Sequence, residues 1–103
     1  MDLTNTFGDR LRRIASARAL PVPENEYQTT MRAVEALENY ANEMSRNQRL
    51  RAGLAIMLSN IYDRILLERI AQALEQEDNR LGGLVLAVHV AIINYQDRLL
   101  AML

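Results

Sequence analysis

The only two prolines of this chain, Pro21 and Pro23, stand together near its start, and beyond them the residue that most firmly stops a helix is absent. Glycine is nearly as sparse, at Gly8, Gly53 and the pair Gly82-Gly83. Sheet proteins need turn residues at short, regular spacing, so stretches this poorly punctuated point to helices. The apolar residues repeat with the matching period. Phe7, Leu11 and Ile14 fall at i, i+4 and i+7 behind Thr6 and Asp9, a capping-box pair, which predicts a first helix from about Thr6 to Ala19, ended by Pro21-Val22-Pro23. Asn25 with Gln28 reads as a second capping box, opening a helix whose apolar face runs Tyr27, Met31, Val34, Leu37, Ala41 and Met44. Around Ser45 to Arg49 that face fails for about one turn, and a break is expected there.

From Leu50 onward Leu54, Met57, Leu58, Ile61, Ile65, Ile70 and Leu74 keep helical spacing to about Glu77, which makes this third helix the longest element. Asp78-Asn79 and Gly82-Gly83 supply the next stop and start. The segment Leu84 to Leu103 is rich in Val and Ile at its front, a composition that suits a strand, but nothing else in the chain offers a partner strand. The sequence therefore predicts an all-α protein, a small helical bundle of about four helices. With 103 residues, 50% of them hydrophobic, it is one domain over residues 1–103.

Two stretches carry more apolar surface than a lone bundle of this size can hide. Ala52 to Leu58 and Leu84 to Ile93 are apolar nearly all round, the pattern of helices buried on every side, whereas a small monomer has little interior. An intertwined homodimer with a shared core is the expected solution, with Leu54, Ile56, Leu58, Ile61, Val88 and Ile92 at its centre. The apolar ending Leu99, Leu100, Met102 and Leu103 points the same way.

Composition also bounds the setting. The chain has no cysteine, so neither a disulfide framework nor a thiolate metal site is possible, and a reducing cytosol is the expected compartment. The run Leu84 to Ile93 is about half of what a membrane-crossing helix needs, and Asp2 and Asp9 interrupt any leader-like N-terminus. A cytoplasmic protein that does not insert into a membrane is expected, the cytoplasm of a host cell being one setting. A formal net charge of −1 provides no global attraction to nucleic acid or anionic lipid, so such binding needs a local patch.

Catalytic chemistry finds little to work with. The single histidine, His89, sits in the most apolar run, where a buried neutral imidazole held by one hydrogen bond is expected. The residue three before it is Leu86, so the Glu-x-x-His pair of a bundle di-iron site is missing. Glu35 with Glu38, and Glu75 with Glu77 and Asp78, read as solvated carboxylates. Gly82-Gly83 lacks the lysine and spacing of a phosphate loop, and a serine nucleophile would have only His89 as its base. A non-enzymatic protein without cofactor or metal is expected.

Binding surfaces remain, and one compositional fact bears on them: all 12 of the Lys and Arg residues are arginine. Lysine and asparagine codons share their first two letters, yet asparagine recurs from Asn5 to Asn94, so gene composition does not account for the missing lysine. Either the primary amine is disfavoured, as in a host cell that tags lysines, or the surfaces use arginine's forked geometry. Asn39, Asn42, Arg46 and Arg49 recur at i, i+3, i+7 and i+10 and would form one stripe on a continuous helix. Doubled in a dimer, that stripe suits double-stranded RNA, with arginines on phosphates and asparagines at ribose hydroxyls; Glu35, Glu38 and Glu43 oppose this reading. Arg10, Arg12, Arg13 and Arg18 form a second candidate partner-binding surface, opposite Phe7, Leu11 and Ile14. The expected function is stoichiometric protein binding as an adaptor, chaperone or antagonist, with partners being a second copy and an unidentified protein. A duplex-RNA-binding dimer of the viral silencing-suppressor kind is the alternative, and a structural subunit of a phage or virus particle is the second.

Overall fold

The computed structural model describes residues 3–43, 52, 56, 63–76 and 79–103. Their regular structure is helical throughout: α1 (Leu3–Ser16), α2 (Glu24–Glu43), α3 (Arg64–Glu75) and α4 (Asn79–Ala101). The all-α expectation holds, and so does the count of four among the described residues. The expected break around Ser45 to Arg49 lies outside them.

Helix ends depart from the sequence reading in instructive ways. α1 begins at Leu3, before Thr6, because its first turn is capped from another helix. The Thr4 amide donates to Glu38 Oε2 of α2 at 2.6 Å, and the Thr4 hydroxyl donates to the same oxygen. One of the donors that a helix start leaves orphaned is thereby satisfied without a local capping box. At the other end, the Ala19 amide donates to the Ser16 carbonyl at 3.0 Å and the Leu20 amide to the Ala15 carbonyl at 3.0 Å. These two bonds form a Schellman motif, so the chain has already turned when it reaches Pro21.

The motif places Ala19 in the left-handed region, at φ 53°, where a Cβ costs about 1–2 kcal/mol. Ala19→Gly removes that penalty at the expense of a more flexible unfolded chain. We expect a net gain of about 0.5–1 kcal/mol, read as a melting temperature a few degrees higher. An unchanged or lower value would show that the Ala19 methyl makes a contact worth more than the strain.

α2 starts one residue past Pro23, whose carbonyl accepts from the Tyr27 amide at 2.8 Å. Asn25 is therefore inside the helix and does not cap it; Glu24 and Glu26 in the first turn complement the helix dipole instead. The continuous helix expected from Leu50 to Glu77 is interrupted at Asp63. That residue is non-helical, and its Oδ1 accepts from the Leu66 amide at 2.9 Å, the geometry of an N-cap opening α3. Gly82 and Gly83, expected at a boundary, lie inside α4, which starts at Asn79.

α4 is the central element and packs against both α2 and α3, while α1 lies on α2. Its buried Leu81, Val85, Val88, Ile92, Tyr95 and Leu99 share one core with Phe7, Leu11 and Ile14 of α1 and with Tyr27, Val34, Leu37 and Tyr40 of α2. Two polar groups tie the helices together. Tyr95 is fully buried and its hydroxyl donates to the Leu11 carbonyl at 2.6 Å, satisfying the one polar atom an aromatic of this kind brings into a core. Thr30, also fully buried, places its hydroxyl 2.7 Å from the Glu26 carbonyl and 3.3 Å from the Ala91 carbonyl of α4.

By length and composition α4 meets the requirement for crossing a membrane, with a mean hydropathy of 1.3, which the ten-residue apolar run alone did not. The same composition serves a central helix, and its buried side from Leu81 to Leu99 includes His89 and Gln96.

Candidate interaction surfaces

The apolar run at the front of α4 divides cleanly into two sides. Val88 is 1% exposed and Ile92 0%, whereas Leu86 is 54% and Val90 47% exposed. Val88 and Ile92, placed by sequence at the centre of a dimer core, thus belong to the core of their own chain, in the cluster that includes Phe7, Leu11 and Val34. A helix turns about 100° per residue, so residues two apart in this run face nearly opposite ways. Outward with Leu86 and Val90 lie Gly83 and Ala87, and a Cβ built at Gly83 would meet nothing within 4 Å.

Of the other candidate dimer-core residues, Ile56 is helical and 44% exposed; Leu54, Leu58 and Ile61 lie outside the described residues. Ile65, at the start of α3, is 68% exposed. In the apolar ending, Leu99 is buried and Met102 packs on the core, while Leu100 and Leu103 face outward.

Half of the Asn39, Asn42, Arg46 and Arg49 stripe falls on α2. Asn39 is exposed there and Asn42 lies in the last turn; Arg46 and Arg49 lie outside the described residues. Around Asn39 the surface forms an open cleft of about 350 Å³ lined by Thr4, Asn5, Glu35, Glu38 and Asn39. Two carboxylates in the wall of that cleft set a negative potential where a phosphate backbone would lie.

Arg10, Arg12 and Arg13 are exposed along α1 and Arg18 in the turn after it, but the four are not equivalent. The Arg12 guanidinium stacks over Tyr27 of α2, 5.0 Å from the ring centroid, a cation–π contact within the fold. Arg80 of α4 does the same over Tyr40 at 4.9 Å. Sequence reasoning missed both tyrosines' role as platforms for arginine, and it missed Tyr40 and Thr30 as core residues.

His89 is buried, as expected, but its Nδ1 atom has no hydrogen-bond partner. The fold leaves this nitrogen unsatisfied, and a buried polar atom in that state costs about 1–3 kcal/mol. His89→Leu, which fills a similar volume without a polar atom, is therefore expected to raise stability by about 1 kcal/mol. Thermal denaturation of the variant reads this directly, and a lowered midpoint would mean that the imidazole makes a bond the fold needs. No group of three or more potential metal ligands occurs among the described residues. No family model matches this chain, and neither the curated proteins nor the solved structures contain a significant match to it.

Proposed function

We propose that this chain works by stoichiometric protein–protein binding, as an adaptor, chaperone or antagonist, and that it pairs with itself as a homodimer. The observation that supports this reading is the outward side of α4, where Leu86 and Val90 stand about half exposed beside the open Gly83. Each of these side chains is worth about 1.5–3 kcal/mol between full exposure and full burial, and neither is needed to fill the chain's own core. Grouped outward apolar residues on a helix of a small protein mark an interaction surface. The carboxylates lining the cleft at Asn39 favour a protein partner over duplex RNA.

The test is Leu86→Asp with Val90→Asp in one chain. Wild-type protein is expected to sediment as a dimer at micromolar concentration. The double variant is expected to sediment as a monomer with unchanged helicity, a loss of about 3 kcal/mol or on the order of a hundredfold in Kd. Capture from the native host then identifies a stoichiometric partner that the wild type retains and the variant loses. A monomeric wild type at that concentration removes the homodimer. Submicromolar binding of duplex RNA by the wild type in physiological salt, weakening steeply as salt rises, replaces protein binding with the RNA reading.

A further inference from the structure

The absence of lysine leaves two explanations open at the level of sequence: arginine's geometry is needed, or the amine is unwelcome. The structure separates them. Arginine geometry is in use where Arg12 stacks over Tyr27 and Arg80 over Tyr40, since a planar guanidinium suits an aromatic face better than an ammonium does. Arg32 on α2, Arg69 on α3 and Arg98 on α4 are different. All three are exposed, and none makes a stacking, hydrogen-bond or ion-pair contact with another described residue. Lysine matches arginine in helix propensity to within a few tenths of a kcal/mol and carries the same charge. At the C-terminal turn of α4, where Arg98 lies, it would complement the dipole equally. Folding thus gives no reason to exclude lysine from these positions, yet it is excluded from them as from every other.

What distinguishes the two side chains at a free, solvated position is nucleophilicity. An ε-amine that has lost its proton attacks the carbonyl of an acyl thioester: the C–N amide bond forms, the C–S bond breaks, the thiolate leaves and the proton released from the amine goes to solvent. Guanidinium stays protonated at any physiological pH with its nitrogen lone pairs delocalised, and does not react this way. Ubiquitin and acetyl groups both reach lysine from thioesters. We infer that this chain is composed to be refractory to acyl transfer onto ε-amines, and that it acts in a compartment where such transfer would modify or remove it.

The experiment uses the full chain carrying Arg32→Lys, Arg69→Lys and Arg98→Lys together. Its melting temperature and sedimentation are expected to equal those of the wild type. In a eukaryotic cytosolic extract supplied with ATP and ubiquitin, the variant is expected to acquire conjugates at the substituted positions and to have a half-life several-fold shorter than the wild type's. A parallel arm with acetyl-coenzyme A and the same extract, analysed by mass spectrometry, separates acetyl from ubiquitin transfer; adducts in either arm support the inference. A variant that stays unconjugated and persists as long as the wild type, while a folded lysine-containing control is modified, overturns it. So does a variant that melts lower or changes its oligomeric state, because arginine geometry would then be required where the structure shows no contact for it.

Discussion

Replacing Ile92 by aspartate is expected to abolish cooperative folding. The residue is 0% exposed at the centre of α4, surrounded by the apolar side chains that α1 and α2 turn inward, so a carboxylate there has neither water nor a cation to compensate it. Penalties of this kind exceed about 4–5 kcal/mol, a large share of the roughly 5–15 kcal/mol that holds a domain of this size together. Circular dichroism should show lost helicity and no sharp thermal transition. Aspartate at Val90, two residues earlier on the same helix and outward-facing, should leave a cooperative, fully helical fold. A normal melt for the Ile92 variant would refute the assignment of that residue to the chain's own core.

Phe7→Ala should have the next largest effect, about 3–5 kcal/mol, the usual cost of removing a buried aromatic. Phe7 is 2% exposed and docks α1 together with Leu11, Ile14 and Ala15. The helices lie close here. A Cβ built at Gly8 would come within 2.8 Å of the Tyr27 hydroxyl and 2.9 Å of Met31 Cε, so little material stands ready to fill the space that Phe7 leaves. Damage at this point reaches α4 as well, because the Leu11 carbonyl is the acceptor for Tyr95. A urea titration followed by circular dichroism measures the loss. If the midpoint implied less than about 1 kcal/mol, α1 would have to be an appendage and not part of the cooperative core.

The helical class was legible because period and punctuation agreed, and the faces of α1 and α2 were legible because each mixes apolar with charged residues. Phe7, Leu11 and Ile14 are buried, as are Tyr27, Val34 and Leu37. α4 defeated the same method from Leu84 to Ile93, since the one polar residue of that run, His89, is buried and so marks no outside. The signal lay further along. Asn94 and Asp97 are exposed, and counting four and seven residues back from Asn94 gives Val90 and Ala87, while seven and fourteen back from Asp97 gives Val90 and Gly83. Asp63, an acidic residue placed just before Ile65 and Leu66, carries the signal of a helix start, which the apolar spacing running unbroken across it obscures. Two features were beyond a local reading. The Schellman turn at Ala19 uses a residue poorly suited to it, and the cap on α1 comes from Glu38, 34 residues away.

That distant cap changes what the beginning of α1 is. A helix start closed by its own neighbours can form and fray as a local event, whereas the first turn of α1 is closed by a carboxylate that reaches it only after α1 and α2 have docked. Thr4 and Glu38 therefore act as a latch across the pair, and the first turn should open with the α1–α2 interface and not ahead of it. In kinetic language, the two helices share a single opening event, and the start of the described chain belongs to the cooperative unit as fully as its middle does.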